Sequence, residues 1–254
     1  MTPRRTVSLL ALLLILVVPA GLAIGRGTSK PHQDFGSRFT SKVPGHSTGV
    51  RIAIKYKNPS DPNGTPSAVR KIILAGPPGT RIDTSVPARC TATDMQLKTQ
   101  GESACPAGSR VGSGTIVAAV LVAPGPNKPL TTFDVNIFNT DGGLLMTARP
   151  QGSSTVGAVA RGTIKGRTTT VTVPTCLMGG QPPNGCASDQ TALVTVFQRT
   201  FRIVRGSPGH RRAYLTTPRT CPRSHHWTGV ARFTYADGAS ERVTATSGCL
   251  RPRR

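Results

Sequence analysis

Acidic side chains are the scarcest resource of this 254-residue chain, with ten Asp and Glu against 32 Lys and Arg. A glycosidase needs two carboxylates facing one cleft. Only Asp134, Asp141 and Asp237 are candidates, by elimination, and Asp141-Gly142 and Asp237-Gly238 read more simply as turns. Aromatics are also few, at 4%. The core must therefore come from Val, Ile, Leu and Ala. No interleaving of aromatic with basic residues is evident, so stacking on single-stranded nucleic acid is not expected and no specific nucleic-acid partner is assigned. Beyond the N-terminus no run approaches the about 20 apolar residues of a spanning helix, which excludes a bundle of such helices. Ligand clusters are absent as well. Cys221, His225 and His226 suggest zinc, but a structural site needs four ligands, usually in two close pairs, and no second pair follows. Ala75-Gly76-Pro77-Pro78-Gly79-Thr80 begins like a phosphate loop but lacks the Gly-Lys-Ser/Thr that the chemistry requires, so it reads as a turn. No Ser-His-Asp arrangement is recognisable by spacing. No metal and no cofactor are expected.

What the chain does have starts at residue 1. Arg4 and Arg5 precede an aliphatic run from Val7 to Val18, and small residues follow at Ala20, Gly21, Ala23 and Gly25. That is the layout of a secretory signal peptide over 1–25, with cleavage expected between Ile24 and Arg26. The protein would then meet a membrane only transiently and end up secreted, at the cell envelope; an uncleaved anchor is the alternative. Residues 26–49 are polar and without apolar periodicity, a flexible linker. The domain is expected over 50–250, with a possible subdomain break at 124–129, and a basic tail at 251–254.

The net charge is +22. Such a field attracts polyanions and is screened over about 8 Å at physiological salt. Outside the cytoplasm these are anionic cell-wall polymers and polysaccharides. The basic residues cluster only around Arg202, Arg205, Arg211 and Arg212, and in the tail at Arg251, Arg253 and Arg254. These seven are the candidate anion-binding residues.

Six cysteines in an exported chain favour disulfides over metal or redox chemistry. Their order suggests three local pairs, Cys90–Cys105, Cys176–Cys186 and Cys221–Cys249. Between the first two, Thr93-Asp94 can cap a short helix carrying Met95 and Leu97, with Gly101 as its stop. Elsewhere the pattern is of strands. Val50, Ile52, Ile54 and Tyr56 alternate with polar or small residues. Runs follow at 69–74, 112–122, 131–138, 143–148, 155–164, 168–173 and 192–204, the last with Leu193, Phe197, Phe201 and Ile203 in one parity. A C-terminal hairpin puts Trp227, Gly229, Ala231, Phe233 and Tyr235 on one face. A three-residue loop, Ala236-Asp237-Gly238, pairs Ala231 with Val243 and Gly229 with Ala245, keeping that face apolar. About ten short strands predict an all-β fold, an antiparallel β-sandwich or jelly roll stapled by disulfides.

The runs Ala88-Arg89-Cys90, Gly101 to Ser109, Val111 to Gly114, and Cys221-Pro222 through Trp227 to Asp237-Gly238 resemble a group of exported actinobacterial β-proteins with paired cysteines. The resemblance implies an exported β-protein and carries no activity. Thr246 to Arg251 resembles the cysteine motif of L,D-transpeptidases, which implies acyl transfer by Cys249 with His225 or His226 as base. Ser247 replaces the usual His there, and a bond to Cys221 would consume the thiol. The leading expectation is a non-catalytic protein that binds anionic envelope or matrix components. The alternatives are an envelope cysteine enzyme and a structural or adhesive module.

Overall fold

The computed structural model describes residues 31–120, 128–174 and 191–250. In chain order these form β1 (Gln33–Phe39), β2 (Val50–Tyr56), β3 (Val69–Ala75), β4 (Arg81–Ile82), α1 (Asp94–Gln100), β5 (Arg110–Val120), β6 (Leu130–Thr140), β7 (Gly143–Pro150), β8 (Ala158–Lys165), β9 (Thr168–Thr172), β10 (Thr191–Thr200), β11 (Val204–Arg205), β12 (Arg212–Ala213), β13 (Leu215–Thr216), β14 (His226–Tyr235) and β15 (Ser240–Gly248). The expected all-β class holds. Eleven strands make one antiparallel sheet in the order β1-β2-β10-β5-β6-β7-β8-β9-β3-β14-β15.

The two edges of this sheet meet. Alternation over eleven strands leaves β1 and β15 running in the same direction. Phe39 N–H donates to Ser247 Oγ at 3.0 Å at one end of the seam, and His32 N–H donates to the Glu241 carboxylate at 3.1 Å at the other. The sheet is therefore barrel-like and wraps its apolar face around one interior. A sandwich would instead pack two separate sheets face to face, so that expectation is matched only roughly. Ile54, Phe133, Val135, Ala231, Phe233 and Tyr235 pack in the interior.

The hairpin β14–β15 has the expected register, with Ala231 opposite Val243 and Gly229 opposite Ala245. Gly238 sits at φ 85°, and Tyr235 N–H closes the loop onto Ala239 O at 2.9 Å. The five inward residues of β14 are buried, Trp227 among them. The helix α1 is capped as expected. Thr93 accepts from Gln96 N–H, Gln96 Oε1 accepts from Thr93 N–H, and Gly101 ends the helix at φ 70°. Leu97 is fully buried against Phe138 and Leu145 on the outer side of β6–β7, and Met95 is exposed.

Three expectations need correction. The linker expected over 26–49 contains β1, paired along its length with β2, so the domain starts at or before Gln33. Its inward positions alternate polar and aromatic, Gln33, Phe35, Ser37 and Phe39, which hides the strand from an apolar count. The possible break at 124–129 divides nothing, because β5 and β6 pair directly with each other in the one sheet. In β10 a bulge between Leu193 and Thr195 shifts the parity, leaving Leu193 and Val196 inward and Phe197 outward, 58% exposed.

The residues after β10 fold back over one end of the barrel. β11 pairs with β12 and β13 with β4, which places Ile203, Tyr214, Leu215 and Ile82 in the interior cluster. Thr217 Oγ1 fixes the segment by donating to Val43 O at 2.7 Å and accepting from His46 N–H at 3.0 Å. The segment 1–25 expected to be a signal peptide, the expected pair Cys176–Cys186 and the tail 251–254 lie outside the described residues.

Candidate functional site: an arginine row on the outer face

Strand order, not sequence proximity, builds a row of arginines on the barrel. Arg38 on β1 pairs with Arg51 on β2, and Arg51 pairs with Arg199 on β10. All three side chains are exposed. Neighbouring strands lie about 4.8 Å apart, so three guanidinium stems leave the surface in one row. Like charges directly opposite one another destabilise a sheet. Arg38 and Arg51 have no ion-pair partner among the described residues. Arg199 Nε donates to Ser113 Oγ at 3.3 Å. The register continues through Ser113 to Asn136 and Thr147, both of which donate to the Glu102 carboxylate at 2.5 Å. The row is thus basic at one end and closed by a hydrogen-bonded carboxylate at the other.

Aromatics accompany the row. Phe197, Arg199 and Phe201 alternate outward, and the Arg110 and Arg199 guanidiniums stand 5.9 and 5.7 Å from the centre of the Phe201 ring. The sequence shows this alternation only once the bulge in β10 is known. A hollow of about 470 Å³ borders it, lined by Arg110, Arg149, Phe197 and Arg199, with Asp134 3.8 Å from Arg149.

The candidates from the sequence are dispersed. Arg202 donates to Ser47 Oγ at 2.7 Å and shares a second surface hollow, of about 670 Å³, with Arg211. Arg205 and Arg212 face each other across β11–β12. Arg212 is tied to Asp83 and Ser85, each at 2.7 Å. The Ser85 hydroxyl bonded to Asp83, with Arg212 beside it, holds that carboxyl below the usual range. Arg251, Arg253 and Arg254 lie outside the described residues.

The cysteine chemistry is closed. Cys221 and Cys249 are bonded, with Cα atoms 5.7 Å apart, and so are Cys90 and Cys105, at 4.8 Å. Cys249 therefore carries no thiol for acyl transfer. His225 sits in a tight turn at φ 57°, and His226 Nδ1 bonds Ser224 O at 2.7 Å. The candidate carboxylates are occupied too. Asp141 is 3.2 Å from Arg89, and Asp237 accepts from Ala239 N–H at 2.9 Å within its own turn. No group of three His, Cys, Asp or Glu among the described residues could hold a metal.

A half-buried polar cluster at the seam left no signal in the sequence pattern. His32 Nδ1 lies 2.5 Å from Glu241 Oε1, and the His32 ring stacks 4.7 Å from Tyr235. The Tyr235 hydroxyl donates to Gln33 Oε1. A His–Glu pair can serve a nucleophile as base, yet no Ser or Cys side chain among the described residues bonds His32. The cluster bridges β1 to β14 and β15 and locks the barrel seam. No protein-family model, no curated protein and no solved structure matches the chain.

Proposed function

We propose that this is an exported, non-catalytic β-barrel protein that holds an anionic polymer of the cell envelope against the outer face of β1, β2 and β10. The observation that carries the reading is the register of Arg38, Arg51 and Arg199. Three like charges in adjacent strands, without an ion-pair partner among the described residues, repel one another, and a polymer with repeated phosphate or carboxylate groups relieves that repulsion. Phe197 and Phe201 offer flat apolar surface beside the row, suited to the faces of sugar rings. The disulfides fit an oxidising compartment. No helix among the described residues is long and apolar enough to cross a membrane. Export itself rests on the N-terminal pattern.

The test is binding to purified cell wall and to polygalacturonate over a range of salt. Affinity should fall steeply as salt rises. The triple variant Arg38→Gln/Arg51→Gln/Arg199→Gln should lose most of it. A control removing equal charge elsewhere, Arg89→Gln/Arg161→Gln/Arg232→Gln, should keep it. Salt-independent binding, or equal loss in both triples, would overturn the assignment.

A further inference from the structure

The interior of the barrel is not full. A cavity of about 140 Å³ lies between the sheet and the cap formed by β4 and β13, and a second of about 70 Å³ adjoins it. The two share lining residues, among them Ile52, Leu74, Met146 and Val171. An apolar cavity of about 150 Å³ is known to stay dry and to accept a benzene-sized guest. This one has the volume for a hydrocarbon body of about six carbons.

Its lining is apolar apart from a few groups, and two of those lie against Gly76. The turn Ala75 to Thr80 brings Thr80 against Gly76, where a Cβ would stand 3.1 Å from Thr80 Oγ1. Arg167, at the tip of the β8–β9 hairpin, donates from Nη1 to Gly76 O, and Gly76 N–H donates back to Arg167 O at 2.9 Å. Thr80 and Arg167 both line the cavity. The Thr80 hydroxyl is buried, on a residue only 8% exposed, and has no hydrogen-bond partner among the described residues. Arg167 makes no ion pair among the described residues. A buried hydroxyl without a partner costs stability, and a cation beside it supplies the charge that a carboxylate would meet.

We infer that the cavity is a binding site for a small amphiphile, with an apolar body of about six carbons inside and a carboxylate held by Arg167 and Thr80. This site lies inside the barrel and is independent of the outer arginine row.

Trp227, the only tryptophan of the chain, lines the cavity and reports on its contents. ω-Bromohexanoate serves as the probe, because bromine quenches indole fluorescence on contact. Quenching should saturate, and hexanoate should reverse it by competition. Arg167→Gln should weaken ω-bromohexanoate about tenfold, as expected for loss of a charge-assisted hydrogen bond, and leave bromohexane unchanged. Thr80→Val should raise the melting temperature of the ligand-free protein and lower carboxylate affinity. Ala245→Phe puts a ring into the space and should abolish quenching; if that variant does not fold, Leu144→Phe fills less and should weaken it. Absent or unsaturable quenching, or quenching undiminished in the cavity-filling variant, overturns the site. Carboxylate affinity that survives Arg167→Gln overturns the head-group assignment.

Discussion

Phe39 and Ser247 join the first and last strands of the sheet through a hydrogen bond from backbone N–H to side-chain hydroxyl, 3.0 Å long across 208 residues of sequence. Backbone pairing supplies every other neighbour contact in the large sheet. Between β1 and β15 the printed bonds run through side chains, and just beyond the two strands Leu250 N–H donates to Lys42 O at 2.8 Å.

Ser247→Ala should loosen the seam at its Phe39 end, while the His32–Glu241 contact still holds the other end. The variant leaves Phe39 N–H without its acceptor in a part-buried setting, which costs about 1–3 kcal/mol. Ser247→Thr keeps the oxygen and should cost less. Amide hydrogen exchange is the measurement. Protection should drop in β1 and β15 and hold in β5 and β6. A uniform loss across all strands would contradict a local seam.

The inward face of β14 makes a sharper demand. Trp227 is 2% exposed, meets Phe39 edge-on at 5.7 Å, and its indole N–H donates to Thr220 O at 2.8 Å. Trp227→Ala should cost about 3–5 kcal/mol. Losing the Cys221–Cys249 bond, which closes a separation of 28 residues, should cost about 3.5 kcal/mol in the chain-entropy model. Thermal melts of the single and paired variants check both values. A Trp227→Ala melt matching wild type would remove Trp227 from the core.

The parts of this fold that were legible in sequence are those set by near neighbours. Asp237-Gly238 and the alternation through Phe233 fixed the last hairpin and its register. Thr93 and Gly101 marked the ends of α1. Two features were not legible. Closure into a barrel depends on His32 meeting Glu241 and Phe39 meeting Ser247, contacts between chain ends that leave no periodic trace. The arginine row depends on β10 inserting beside β2, a strand order that the pattern of Arg38, Arg51 and Arg199 along the chain does not encode. The bulge at Leu193 and Thr195 concealed the aromatic partners of that row by moving Phe197 to the outer face.

Alkaline pH probes the interior directly, because all three tyrosines are buried. Burial, with the neighbouring Tyr235 adding, holds Tyr56 well above the usual tyrosine value. Tyr214 is pushed up to about 12 by burial alone. Burial first, then the Glu241 and Asp237 carboxylates, raises Tyr235. A raised value in the folded state means that stability is complete below the unfolded value of 10.0 and is lost as pH climbs toward the folded one. Each tyrosine removes up to about 1.4 kcal/mol per pH unit in that window. Ultraviolet titration should show no phenolate near pH 10, followed by one cooperative rise that coincides with unfolding. An ordinary stepwise titration of one tyrosine near pH 10 would place that ring outside the core.

The arginine row makes a prediction about the unliganded protein alone. Arg51 stands between Arg38 and Arg199, so it faces a like charge on both sides. Cross-strand pairs are worth about 0.2–1 kcal/mol each, with like charges on the unfavourable side. Arg51→Gln removes both repulsions and keeps a long polar side chain on the strand. It should raise stability by about 0.5–1 kcal/mol at low salt. The gain should shrink as salt rises, since exposed charges are screened over about 8 Å at physiological ionic strength. Arg38→Gln relieves one repulsion and should give about half as much, and Arg199→Gln, which also loses the Ser113 hydrogen bond and the Phe201 contact, should give less. Denaturant melts of the three variants at low and high salt measure this ordering. A largest effect at Arg38 or Arg199, or a gain at Arg51 that does not depend on salt, would mean that the three guanidiniums splay apart and present no joint surface to a polymer. The expected ordering shows instead that the row is held under mutual repulsion, the condition that an anionic partner relieves.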